Sequence, residues 1–275
     1  MGYQNQGIAQ GAIFDTLDGD WYAMLFQDHG AVGRIPYILP VQWIDGWPMV
    51  GIDAESFIVN LPETNDKSLV VSDEFNYQEN VIGQSWQWNH NPDNNLWSFT
   101  ERPGYLRLKT GYLTDHVLQA RNTLTQRTEG PTCTAITLID TTHMKPGDYA
   151  GLIALQSNFG TVGVQVNQGG EKCITMTRKD GVVDAIIEEK ILETNMIYLK
   201  VDFNFVDSID IAKFYYSTNG DAWTEIGESL QMKYTLDHFM GYRIGLFNYA
   251  TQQIGGHVDF NYFHYLKDIK MIREN

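Results

Sequence analysis

Arg34 stands a few positions after Asp28 and His29 in the stretch FQDHGAVGRIPYILPVQWIDGWPMVG (26–51). A guanidinium is a planar fork of donors that can hold two neighbouring sugar hydroxyls at once. Asp28 and His29 would add an acceptor and an imidazole to the same loop. Arginine before a strand also ties down turn carbonyls or pairs with a surface acid, so both roles stand open for Arg34. A second cluster lies in SWQWNHNPDNNLW (85–97), where Trp86, Trp88, Asn89, His90 and Asn91 occur together. Flat rings stack on the C–H faces of pyranoses, while amides and imidazole donate to and accept from hydroxyls. Strand alternation puts Trp86 and Trp88 on one face and begins a turn at Asn89; the other reading makes Trp86 and Trp97 core residues and the polar middle a capped turn. Phe159, in QSNFGTVGV, is expected at a turn, where an exposed ring could stack on a sugar. Acid–base hydrolysis with inversion needs two carboxylates about 6.5–9.5 Å apart. Asp15, Asp18 and Asp20 in DTLDGD are expected to serve a turn instead. Arg102, Arg107, Arg121 and Arg127 are expected to pair with acids.

These residues need strands to position them. Helical periodicity is nearly absent, and short runs rich in Val, Ile, Tyr, Phe and Thr alternate with Gly, Asn and Asp turns. Strands are expected at 20–26, 104–110, 133–140, 150–156, 161–167, 172–178, 197–206, 212–226, 242–248 and 257–266. Within 212–226, Asn219-Gly220 is expected to supply the positive φ angles of a tight hairpin turn. Such spacing predicts an all-β chain, with a sandwich of two antiparallel sheets from about residue 71 onward. A polar break in DAESFIVNLPETNDKSLV (53–70) separates a β-rich N-terminal piece from the sandwich. That piece is short enough to need packing against something larger.

The 275 residues carry a net charge of −15, with 43% hydrophobic and 19% charged residues. A packed core is therefore expected, and a nucleic-acid or anionic-membrane partner is not, since both require a concentrated basic face. No apolar run reaches the ~18 residues of a membrane span. Residues 1–10 show no basic-then-apolar leader pattern, and localisation stays open. Cys133 and Cys173 fit neither a metal spacing nor a disulfide framework, which leaves their pairing open.

The stretch QGAIFDTLDGDWYAMLFQDHGAVGRIPYILPVQWIDGWPMVG (10–51) resembles the last blade of the five-bladed propeller of glycoside hydrolase family 43. That family contains β-xylosidases and α-L-arabinofuranosidases. Residues 72–131, from SDEFN through SWQWNHNPDNNLWSFTERPGYLRL to ARNTLTQRTEGP, resemble the concanavalin-A-like β-sandwich (jelly roll) appended to many members. The resemblance implies a blade over 1–52, a connector over 53–70, a sandwich over 71–268 and a tail over 269–275. It places Arg34 at the position that reaches the glycone subsite. It also implies that the general base, the general acid and the tuning carboxylate come from earlier blades, so this chain alone is expected to bind rather than hydrolyse. Ala9 stands where the family has a histidine for a central ion or water. Sandwiches of this type often hold one calcium, and the resemblance points to Asp259 with Asp73 and Gly104 as ligands. Asp259 as a salt-bridged or capping strand residue is the competing reading. The implied ligands are xylan or arabinoxylan oligosaccharides. The implied protein partners are the missing blades of a hydrolase, or a second copy docked through the exposed blade. A complemented, inverting β-xylosidase or α-L-arabinofuranosidase is the alternative function.

Overall fold

The computed structural model describes residues 8–52, 69–235 and 240–267. Most of the expected connector and the whole expected tail lie outside the described residues.

Residues 8–50 form a four-stranded antiparallel meander, β1 (Ile8–Asp15), β2 (Trp21–Asp28), β3 (Arg34–Ile44) and β4 (Trp47–Val50), in that order. Its last hairpin turns on Asp45-Gly46, whose φ angles of 51° and 81° are the pair that a two-residue primed turn demands. Asp15, Asp18 and Asp20 flank the exposed β1–β2 turn, closed by Thr16 N–H donating to the Asp20 carbonyl at 2.9 Å. Both faces of this sheet carry exposed large apolar side chains, including Ile13, Trp21, Met24, Trp43 and Trp47.

Two further antiparallel sheets pack face to face. The first runs β13 (Asp184–Ile191), β12 (Lys172–Lys179), β11 (Phe159–Val166), β10 (Asp148–Leu155), β18 (Arg243–Ala250), β8 (Leu124–Arg127), β5 (Gln87–Trp88). The second runs β16 (Thr224–Glu225), β15 (Ile211–Ser217), β14 (Met196–Asn204), β9 (Thr132–Asp140), β19 (His257–Phe260), β7 (Leu106–Lys109), β6 (Trp97–Ser98). Off this path, β17 (Leu230–Gln231) pairs with β15 and β20 (His264–Lys267) with β9.

Alternation explains the layering. In β9 and β14 every second residue is buried, which sends Ala135, Ile139, Leu199 and Val201 into the core. They meet Leu152, Val162, Val164, Ile174, Ile244 and Leu246 from the facing sheet. β10 and β11 are buried on both faces because Val117, on the 112–122 segment, covers a second apolar cluster with Ile153, Leu155, Phe159 and Phe247.

The expected all-β sandwich with its blade-like lead-in is thus the architecture of the chain. Two expectations need correction. Phe159 is fully buried at the start of β11, edge-on to His116 at 5.3 Å, so its ring is not presented to a sugar. The residue before it turns the chain, and alternation then points Phe159 under the covering segment. The hairpin after β15 is also wider than expected, because a six-residue loop joins β15 to β16 and only Gly220 takes a positive φ. Asn219 contributes its side chain instead, with Oδ1 accepting from the Asp221 and Ala222 N–H groups at 3.0 Å. Cys133 lies in the core side of β9 and Cys173 on the outer face of β12, and both are free thiols.

The blade meets the sandwich at a tight seam. Ala31, in the 3-10 turn Gly30–Val32, is fully buried. Its N–H donates to Asp210 Oδ2 at 3.0 Å, and its carbonyl accepts from Tyr242 N–H at 2.8 Å. A side chain on Gly241 would stand 1.8 Å from the Val32 carbonyl oxygen, so only glycine lets the two backbones touch.

Candidate functional site at the blade–sandwich junction

The β2–β3 connection builds the blade side of the site. Asp28 and Arg34 pair across the two strands, and Arg34 Nε donates to Asp28 Oδ1 at 3.0 Å. The guanidinium lies 4.2 Å from the centre of the Phe26 ring and 5.7 Å from that of Tyr234, which belongs to the sandwich. Between the strands, His29 N–H donates to the Gly33 carbonyl at 2.8 Å, and Gly33 reaches φ 98° to allow it. His29 is buried, stacked on Tyr37, with Nε2 3.0 Å from the Tyr37 hydroxyl. Burial lowers its pKa, partly opposed by the Asp28 charge, so the neutral imidazole is favoured. Asp28, His29 and Arg34 are therefore brought together, with an aromatic wall behind the cation.

The sandwich side is a pocket of about 420 Å³ lined by Gln87, Trp88, Asn89, His90, Leu118, Met240 and Arg243. Edge strand β5 sets Trp88 against Trp97, ring centres 5.4 Å apart, and leaves Trp88 half-buried. Asn89 N–H donates to the Thr123 carbonyl at 2.9 Å, which ends β5 and opens the loop. His90 Nε2 lies 2.6 Å from the Leu118 carbonyl. A carbonyl only accepts, so Nε2 carries the proton and Nδ1 is the free acceptor of the neutral ring. Asn91 is exposed, its carbonyl accepting from Arg121 Nε at 2.9 Å, and it does not line the pocket. Trp86 takes the core role: it is buried against Phe75 and Phe263, with its indole N–H donating to Asp73 Oδ2 at 2.8 Å.

One segment joins the two sides. Met240 and Arg243 line the pocket, while Gly241 and Tyr242 between them form the seam against Ala31–Gly33. The Trp88–His90 loop and the Arg34 wall are thus fixed to one short stretch of backbone. Arg243, Met240, Gln87 and Tyr234 were not singled out in the sequence. Alternation in YRIGLFN does place Arg243 on the face opposite Ile244, but no local pattern says what surrounds it.

The expected calcium ligands do not fit the ion. Asp259 is buried on β19, and Arg107 donates to both its carboxylate oxygens at 2.8 and 2.9 Å. Arg102 adds a third bond at 2.9 Å and reaches Asp140 at 2.7 Å. Burial alone would raise the Asp259 pKa, but the two guanidiniums hold it below the usual carboxylate range. Asp73 accepts from Phe75 N–H, Tyr77 Oη and Trp86 Nε1, and the Gly104 carbonyl accepts from the Asn261 amide. Calcium needs six to eight oxygens with free lone pairs, and it would be repelled by two adjacent guanidiniums. The salt-bridged reading of Asp259 is the one this geometry supports.

Residues 72–266 match the family described as "Beta xylosidase C-terminal Concanavalin A-like domain". Over 297 aligned positions the chain is 28% identical to a beta-xylosidase of Formosa agariphila, covering 96% of this chain and 48% of that protein. It is 27% identical to the non-reducing end alpha-L-arabinofuranosidase BoGH43B of Bacteroides ovatus, covering 67% and 37%. Among solved structures, the bifunctional GH43-CE protein of Bacteroides eggerthii superposes with a TM-score of 0.89 at 47% identity, covering 96% of this chain and 35% of that one. The chain spans about half the length of the first curated relatives it matches, at 48% and 44%. Its sheets, its core and these likenesses agree: the chain belongs to glycoside hydrolase family 43, as its β-xylosidase C-terminal concanavalin-A-like domain preceded by a blade-like sheet.

Proposed function

We propose that this region of the protein grips xylan or arabinoxylan chains, with the sandwich pocket and the Arg34 wall forming one continuous sugar-contacting surface. The observation that carries this reading is the Met240–Arg243 segment, which links the Trp88–Asn89–His90 pocket to the blade that presents Arg34. A half-buried indole, an amide and an imidazole beside an open concavity are the groups that neutral sugars bind through. Asp28 is committed to Arg34 at 3.0 Å and supports positioning of the cation rather than proton transfer. Isothermal titration and affinity gel electrophoresis with xylooligosaccharides and arabinoxylan test the reading. Saturable binding is expected, and a flat titration together with unretarded migration in every xylan would sink it.

A second reading rests on the blade. Exposed Trp21, Trp43, Ile44 and Trp47 suit burial against further propeller sheets, and the matched relatives are about twice as long. In this reading the chain is one wall of an inverting β-xylosidase or α-L-arabinofuranosidase whose acid and base lie in those sheets. Mixing it with the separately expressed propeller of a family 43 relative and assaying aryl-xyloside and aryl-arabinofuranoside cleavage separates the two. Gain of activity favours the second reading, and persistent inactivity disfavours it.

A further inference from the structure

Arg243 is the cation in this pocket that no acid among the described residues neutralises. It opens β18 on the outer face of its sheet, directly across from Arg127 on β8, so two like charges face each other on neighbouring strands. Arg243 Nε donates to the Met240 sulfur at 3.1 Å and Nη1 to Thr125 Oγ1 at 3.2 Å. Neither partner is charged. The Thr125 hydroxyl proton is itself directed at the Gln87 carbonyl, 2.9 Å away, which leaves its lone pairs for the guanidinium. Among the described residues no carboxylate stands within 4.0 Å of either arginine, whereas Arg34, Arg102, Arg107 and Arg178 each have one. This is unusual in a chain of net charge −15, where acids outnumber basic residues 34 to 19. Burial, and then Arg127, lowers the Arg243 pKa, so the site works against its own cation. A bound anion would relieve both.

We propose that the pocket of Gln87, Trp88, Asn89, His90 and Arg243 receives a uronic acid, so that the preferred ligand is a xylan chain bearing acidic side groups. This deepens the sugar-binding reading above and rests on it. Three N–H donors of Arg243 have no acceptor among the described residues. A fork of this kind accepts a carboxylate through two parallel bonds. Gln87, Asn89 and His90 would take the hydroxyls of the same residue, and the exposed edge of Trp88 its C–H face. The volume of about 420 Å³ falls within the range of small-ligand sites.

Calorimetry on the intact chain compares three ligands of equal backbone length: a neutral xylooligosaccharide, the same oligosaccharide bearing one glucuronic acid, and that compound with its carboxyl reduced to the alcohol. The acidic ligand is expected to bind about tenfold tighter than the reduced one, about 1.4 kcal/mol, and to lose that margin in about 0.5 M salt. Arg243→Gln should bring the acidic and the reduced ligand to equal affinity, read as the ratio of the two on the same variant. Should that variant fail to fold, the reduced ligand on the unaltered chain still decides. Equal affinity for acidic and reduced ligands overturns the uronate proposal and leaves xylan binding standing. Absence of binding by all three overturns the sugar reading itself. Inorganic phosphate or acetate displacing the acidic ligand at equal concentration would mark a general anion site and also overturn it.

Discussion

Asp259 accepts three charge-assisted hydrogen bonds in a place from which water is excluded, so its charge matters to the fold more than to any ligand. Asp259→Ala leaves Arg107 with Glu101 and Arg102 with Asp140, both near the surface. Because each guanidinium keeps one acid and some water, the loss should fall near the low end for a broken buried pair, roughly 3 kcal/mol in urea denaturation. A chelator should leave the melting temperature unchanged, and a fall of several degrees would mean that calcium is held after all. Asp148 behaves oppositely. It is fully buried, Oδ1 has no hydrogen-bond partner among the described residues, and desolvation pushes its pKa up to about 6, against the Lys145 N–H bond that lowers it. The folded state therefore holds this proton more tightly than the unfolded chain does. Its contribution is greatest below about pH 4, is lost as pH rises through about 6, and is constant above about pH 7. Asp148→Asn should flatten the melting temperature across that window, and an unchanged slope would exclude Asp148 as its source. At the pocket, His90 is exposed and among the described residues holds only the Leu118 carbonyl, so His90→Ala should weaken xylooligosaccharide binding about tenfold with little change in melting temperature. Unaltered affinity in that variant would remove His90 from the site.

Strand elements were legible wherever one face is buried. The runs that became β9, β10, β11, β12, β14 and β18 alternate apolar and polar residues, or are apolar throughout, and their ends shift by only a few positions. β13 was not legible. DAIIEEKI lies at a sheet edge with charged side chains in solvent, so half of its pattern resembles a loop, a common way of protecting an edge. The run 257–266 divides into β19 and β20 because Asp73 bridges Phe263 between them, a pairing from the far end of the chain. The seam was not legible either, since it depends on two glycines more than two hundred positions apart. Gly241→Ala puts a methyl into the Val32 carbonyl and Gly33 nitrogen, which cannot move without breaking the Ala31–Tyr242 bond. The variant should retain a folded sandwich while residues 8–52 become sensitive to limited proteolysis. Proteolysis identical to that of the unaltered chain would show that the seam tolerates the gap.

On the scale of the whole molecule, the candidate site divides by how far apart its parts lie in sequence. Asp28, His29 and Arg34 share one hairpin, so a short motif could announce them. Arg243 reaches Trp88 only through β8, and the lack of a carboxylate beside it among the described residues is a property of the folded sheet, not of any stretch of chain. The same distinction governs the blade. Its strands alternate like any meander, yet apolar residues appear on both faces, which a terminal sheet in water does not need. Trp47 is 73% exposed, and Trp21 packs edge-on to Trp43 with ring centres 5.1 Å apart, leaving an aromatic surface beside exposed Ile44 and Met49. Such a surface favours association, while a net charge of −15 opposes it. Salt shortens the Debye length from about 10 Å at 0.1 M to about 3 Å at 1 M, so repulsion fades while apolar attraction persists. The apparent mass by light scattering should therefore rise with ionic strength. Trp47→Ser should suppress that rise, and so should a family 43 propeller added in trans, which would compete for the same face. A monomer at every salt concentration would mean that the blade's apolar residues are already shielded, and would remove the basis for docking it to anything else.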